Sequence, residues 1–158
     1  MLINASAFYL SINFYYFATM GKPLHILLIE DDIDDIELLE EALKGNDVKY
    51  KMEVVMEGDH VFPHINNSEI LPEIIILDFN LPKVHGKDVL KQIKSSEKFR
   101  RIPLVVLTTS SSKDDIDYAY SLGADKFITK PTTLQDFNIA ISLIIECSKN
   151  GNKENASF

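Results

Sequence analysis

EIIILDFNLPKVHG, residues 73–86, places four apolar side chains, Ile74 to Leu77, directly ahead of Asp78 and a turn containing Asn80 and Pro82. A short apolar run bounded by turn residues suits a strand buried on both faces of a parallel sheet. Four other runs repeat the pattern: HILLIE (25–30), MEVVME (52–57), PLVVLT (103–108) and KFIT (126–129). Between them lie stretches with helical spacing. Ile36, Leu39 and Leu43 share one face of a first helix that Gly45 is expected to close. A second, near 59–66, is weakened by Pro63, and a third spans 86–95. Ser112 with Asp115 starts a fourth over 114–122, which stops at Gly123. Thr133 with Asp136 starts the last, 134–147, which carries Phe137, Ala140, Ile141, Ile144 and Ile145. Strict alternation of five strands and five helices predicts a doubly wound α/β fold around a five-stranded parallel sheet.

The 158 residues suit one domain and are few for two. The expected organisation is an extension at 1–19, a domain at 20–148 and a polar tail at 149–158, which leaves no room for a second, output domain. The extension, MLINASAFYLSINFYYFAT, has no charged side chain and six of the fifteen aromatics. It lacks the basic start of a signal peptide, and its length is at the lower limit for a membrane span, so Met20 is read as the natural start. A net charge of −8 argues against a broad nucleic-acid interface, which needs a basic footprint. The single cysteine, Cys147, excludes an internal disulfide and fits a reducing compartment, so a cytoplasmic protein with no membrane partner is expected.

In a parallel α/β sheet, ligands collect at the carboxyl ends of the strands. Those ends offer Glu30, Asp31 and Asp32 from the first strand, Asp78 and Asn80 from the third, Thr108, Thr109 and Ser110 from the fourth, and Thr129, Lys130 and Pro131 from the fifth. Crowded carboxylates repel unless they share a cation, and Mg²⁺ is the hard, oxygen-seeking ion that suits them. Lys130 adds a fixed positive charge, so an anionic phosphoryl group could sit between metal, ammonium and hydroxyls. A carboxylate can itself act as the nucleophile, and Asp78, at a central strand end, is the best placed. Taken singly, each residue has an ordinary reading: Asp31 and Asp32 as helix starters, with Asp32 the cap, Thr108 as a strand residue, and Lys130 as a solvated charge. Only their joint placement on one rim favours a site.

These residues, with ILLIEDD, IIILDFNLPKVHG, IPLVVLTTSSS and LGADKFITKP in order, resemble the receiver domain of two-component response regulators, the CheY-like family, over about Leu24 to Ile145. The string LTTSSSKDDIDYAYSLGADKFITKP is most similar to stand-alone regulators that partner bacteriophytochrome-type kinases. The resemblance implies a phosphoacceptor switch rather than an enzyme, served by a sensor histidine kinase. It makes Asp78 the phosphorylated residue, Glu30 and Asp31 the acidic pair for Mg²⁺, and Asn80 a ligand through its backbone carbonyl. Thr108 becomes the switch hydroxyl, Lys130 the lysine of the site, followed by a cis bond to Pro131, and Phe127 the aromatic that couples the site to the face of helix 114–122, strand 126–129 and helix 134–147. Tyr118, Tyr120 and Phe137 near that face suggest a homodimer surface. The chain departs from the commonest pattern at Glu30, at Phe127, which lacks a hydroxyl, and at His85, read as a loop residue rather than a ligand. Thr109 is bulky for its position and is expected to hinder attacking water.

Two other classes remain in view. A haloacid-dehalogenase-like phosphohydrolase would also use a strand-end aspartate, Mg²⁺ and a lysine, but needs a second acid where Asn80 stands. A phosphorylation-independent binding module on the same fold would be expected to lose part of the acidic pocket, and none of it is missing.

Overall fold

The computed structural model describes residues 22–155, with side chains as far as 150. The expected extension at 1–19 lies outside the described residues. The strands are β1 (Leu24–Ile29), β2 (Tyr50–Val55), β3 (Ile74–Leu77), β4 (Leu104–Thr108) and β5 (Lys126–Thr129). The helices are α1 (Ile33–Gly45), α2 (Val61–Asn67), α3 (Gly86–Ser95), α4 (Lys113–Ser121) and α5 (Leu134–Asn155), with one 3₁₀ turn at Gly58–His60.

All strands are parallel, in the order β2-β1-β3-β4-β5. The three central strands are sealed on both faces. Leu27, Ile29, Ile75, Leu77, Leu104 and Val106 pack with Val61, Ile65, Val89, Leu90, Ile93 and Ala119, so α2, α3 and α4 cover one face. Ile26, Leu28, Ile74, Ile76, Val105 and Leu107 pack with Leu39, Ala42, Leu43, Phe137, Ile141 and Ile144, so α1 and α5 cover the other. Burying each such side chain contributes about 1.5–3 kcal/mol, which explains why the strands read as unbroken apolar runs.

Helix ends follow local chemistry. Asp32, Ser112 and Thr133 accept from the backbone N–H groups of Asp34, Asp115 and Asp136, respectively, as N-caps do. Gly123, at φ 91°, ends α4 with Ala124 N–H bonded to Ala119 O and Gly123 N–H to Tyr120 O, a Schellman motif. Gly86 is required by close approach, since a Cβ there would lie 2.2 Å from the carbonyl oxygen of Asp78.

Three helix boundaries differ from expectation. Gly45 does not close α1; Asn46 does, its side chain donating to Ala42 O at 2.8 Å, and Asp47 takes the left-handed conformation (φ 53°). Pro63 does not interrupt α2, because it falls in the first turn, where its missing N–H has no intrahelical partner to lose. The last helix runs on to Asn155 rather than ending near 147, since adding residues to an existing helix is cheap and no proline stops it.

A polar tie joins β1, β2 and α2 away from the apolar layers. The Glu53 carboxylate accepts from Lys51 Nζ (2.8 Å), His64 Nε2 (2.8 Å) and His25 Nε2 (3.0 Å). Lys51 does most to hold the Glu53 pKa down at about 2; desolvation opposes the shift, and the two histidines add to it. A depressed folded-state pKa gives stability that is present above the ordinary value of 4.5 and lost as pH falls toward 2. Glu53→Gln should therefore lower the urea midpoint most above about pH 5, and its deficit should narrow below about pH 4.5. Urea titrations of both proteins across that range check this.

Candidate functional site

Strand register builds the site. Ile29 pairs with Leu77, so Glu30 and Asp78 leave adjacent strands side by side, at the point where the strand order reverses. Thr108 pairs with Thr129, which brings Lys130 to the same rim, and the Lys130 N–H donates to Thr108 O at 2.7 Å. Glu30, Asp78 and Thr108 are all buried.

At the centre is the Lys130 ammonium. Its three donors meet Asp35 Oδ2 at 2.6 Å, Glu30 Oε2 at 2.8 Å and Asp78 Oδ2 at 2.9 Å, and the lysine side chain is only 7% exposed. Burial alone would lower its pKa, but the three carboxylates outweigh this and hold it well above the ordinary lysine value. Burial raises the pKa of Glu30, an effect that Lys130 and the Asp32 N–H offset only in part. Asp78 Oδ1 accepts from the Asn80 N–H at 3.1 Å, so both of its oxygens have a donor.

One oxygen from each of Glu30, Asp31 and Asp78 lies within 4.8 Å of the others, an all-oxygen donor set that fits a hard divalent cation. Two carboxylates at that spacing repel by roughly 3 kcal/mol at an effective dielectric near 20, so one ammonium leaves the cluster short of positive charge. A second acidic group, Glu57, Asp59 and His60, lies on the loop after β2 and already meets Lys83, whose Nζ is 2.6 Å from Glu57.

The surrounding residues fall where the sequence places them, with three exceptions. Phe127 meets Phe79 edge to face at 5.9 Å, and Asn80 Nδ2 donates to Thr109 Oγ1 at 2.9 Å. His85 is not a member of the Glu30, Asp31 and Asp78 cluster; it caps α3, its Nδ1 accepting from the Lys87 N–H. The first exception is the Lys130–Pro131 bond, which is trans, not cis. The trans form is intrinsically preferred by about 0.5–1 kcal/mol. The second is Phe137, which is 1% exposed in the core with Ile141 and Ile144 and so offers nothing to a dimer surface, whereas Tyr120 is 47% exposed. The third is Asp35, which sequence reasoning missed. It follows Asp34 in the first turn of α1, and only the helix phase turns one toward Lys130 and leaves the other exposed.

Residues 26–142 match the response regulator receiver domain family. The chain belongs to that family. It is 38% identical over 128 residues to the probable methanogenesis regulatory protein FilR2 of Methanothrix harundinacea, covering 78% of this chain and 83% of FilR2. It is 35% identical over 121 residues to response regulator Rcp1 of Synechocystis sp., covering 73% and 82%. The solved structure of the phosphorylated cyanobacterial phytochrome response regulator RcpA aligns with a TM-score of 0.72 at 35% identity, covering 79% of this chain and 93% of RcpA. The Mn(2+)-bound form of Rcp1 aligns with a TM-score of 0.70 at 34% identity, covering 77% and 91%. This receiver domain therefore has the CheY-like fold and belongs to two-component signalling, with phytochrome response regulators among its homologues. No helix among the described residues is long and apolar enough to cross a membrane.

Because Glu30 and Asp78 are buried against Lys130, Lys130→Met should cost about 3 kcal/mol in metal-free protein at neutral pH. Millimolar Mg²⁺ should restore more of that loss in the variant than it adds to the wild type. Urea unfolding with chelator and with Mg²⁺ checks both expectations.

Proposed function

We propose that this receiver is a single-domain response regulator that accepts a phosphoryl group on Asp78 from a sensor histidine kinase. The observation that carries the reading is the Lys130 ammonium held by Glu30, Asp35 and Asp78 at the switch point of the sheet. An oxygen of Asp78 attacks the phosphorus of a phosphohistidine; the new O–P bond forms as the P–N bond breaks, and the imidazole leaves. Lys130 faces the charge that develops on the phosphoryl oxygens, and its hold on Asp78 Oδ2 keeps the carboxylate oriented. Glu30, Asp31, Asp78 and the backbone carbonyl of Asn80 would hold Mg²⁺, which supplies charge neutralisation and in-line positioning when bound.

Thr108 and Phe127 are the switch elements of this reading. Thr108 is buried at the end of β4, and Phe127 packs on Phe79, the residue after Asp78, so a new charge on Asp78 acts on both. Asn80 spends its amide on Thr109 and supplies no acid, which supports a phosphorylated state that persists rather than a phosphohydrolase. The partner surface is the α4-β5-α5 face, on which Tyr120, rather than Phe137, is available to a partner or a second copy. The kinship to RcpA and Rcp1 supports a phytochrome-type kinase as partner, while FilR2 shows that a relative of similar identity carries a different regulatory name.

Incubation with acetyl phosphate and Mg²⁺, resolved on a phosphate-affinity gel, tests the acceptor. A shifted band is expected for the wild type, and none for Asp78→Ala or when the metal is chelated. A band that survives either change overturns the mechanism. Thr109→Ala should shorten the phosphorylated lifetime roughly two- to tenfold, the worth of one hydrogen bond and of a shield against water. The decay of the band after donor removal measures it.

A further inference from the structure

We propose that Lys87, Asp115 and Ser110 form a clamp between α3 and α4 that holds the loop after β4 in its resting position, which makes Lys87 a positioning residue for Asp78 chemistry. This rests on the functional reading above. Residues 109–112 join β4 to α4 without regular structure. Thr109 Oγ1 accepts from Asn80 Nδ2, the Ser110 N–H donates to Thr108 Oγ1 at 3.4 Å and Ser110 O accepts from Thr129 Oγ1 at 3.4 Å. The Ser110 and Ser112 hydroxyls both bond to Asp115. One carboxylate oxygen of Asp115 pairs with Lys87 Nζ, and the other accepts from Ser110 Oγ. Ser110 Oγ in turn accepts from the Ser112 N–H at 3.3 Å, and Ser112 Oγ accepts from the Asp115 N–H at 3.1 Å.

Two local preferences give way here to contacts between elements. In a capping box the third helical residue bonds back to the N–H of the cap. Asp115 occupies that place in α4, yet Ser110 takes the Ser112 N–H and the carboxylate turns to Lys87 instead. Lys87 is the second residue of α3, where the positive end of the helix disfavours a cation. Such violations mark places where tertiary function overrides local preference.

The surroundings strengthen the pair beyond an ordinary surface contact. Its side chains are 33% and 18% exposed, and the Lys87 ammonium lies 5.4 Å from the Tyr118 ring centre and 6.0 Å from that of Phe79. Lys87 and Ser110 together hold the Asp115 carboxyl below its usual range. Lys87 thus ties the residue next to Asp78 to the residue two beyond Thr108. Movement of Thr108 toward a phosphoryl group must strain or open this tie, so loosening it favours the phosphorylated geometry.

The full chain carrying Lys87→Met, Asp115→Asn, both changes, or Lys87→Arg tests the clamp. Methionine keeps an apolar stem over the two rings and removes the charge. Lys87→Met is expected to speed amide hydrogen exchange at residues 109–112 about fivefold and acetyl phosphate labelling of Asp78 about twofold or more. The double variant should show no larger effect than the stronger single one, and Lys87→Arg should return both readouts toward wild type. Unchanged exchange in Lys87→Met, fully additive effects, or no rescue by arginine overturns the clamp. Exchange needs no phosphoryl transfer, so a wild-type chain that takes no label overturns the acceptor reading while exchange still decides the clamp.

Discussion

Three carboxylates share one ammonium at the heart of this protein, and the sheet is arranged to bring them there. Lys130 has three N–H donors and spends them on Asp35, Glu30 and Asp78. Removing these charges from water is costly, and the mutual repulsion of the acids adds to that cost. The cluster persists because each member leaves a strand or helix end that the core has already placed. Its surplus of negative charge is what makes the site fit a divalent cation.

The core meets that demand through register. Ile29 beside Leu77 and Thr108 beside Thr129 are pairings of buried chain, and a slip of one residue would turn every apolar side chain to the wrong layer. The same constraint that seals the two faces therefore aligns Glu30, Asp78, Thr108 and Lys130 on one rim. Gly86 extends the alignment to α3, because the helix starts against the Asp78 carbonyl with no room for a Cβ. Rigid placement on one side of Asp78 contrasts with the loop at 109–112, which is held largely by side-chain hydrogen bonds. The switch proposed above rests on both: a fixed acidic centre and a segment whose position a few contacts decide.

Much of this was legible in the chain. Apolar runs of four to six residues could be buried only as covered parallel strands, and the polar residues that end them had to gather at one edge. Glu30, Asp78, Thr108 and Lys130 were readable for that reason, as were Ser112, Thr133 and Gly123, whose roles depend on neighbours two to five residues away. The family followed from the same ordered strings, and the match over residues 26–142 bears it out. Helix ends were less legible where two signals competed. Asn46 capped α1 in place of Gly45 because its amide could reach Ala42, and Pro63 was harmless because only its position within the turn matters.

By itself, then, the sequence determined the layers, the strand ends and the identity of the acidic pocket, since burial and periodicity act along the chain. Only the tertiary structure decided which acid of the first turn of α1 meets Lys130, that Phe137 belongs to the core, that the Lys130–Pro131 bond is trans, and that Lys87 reaches Asp115 across two helices. Those outcomes depend on the phase of one element against another. Long-range electrostatic partners have no period in the chain, and they become visible only when the packed core has fixed the distances between them.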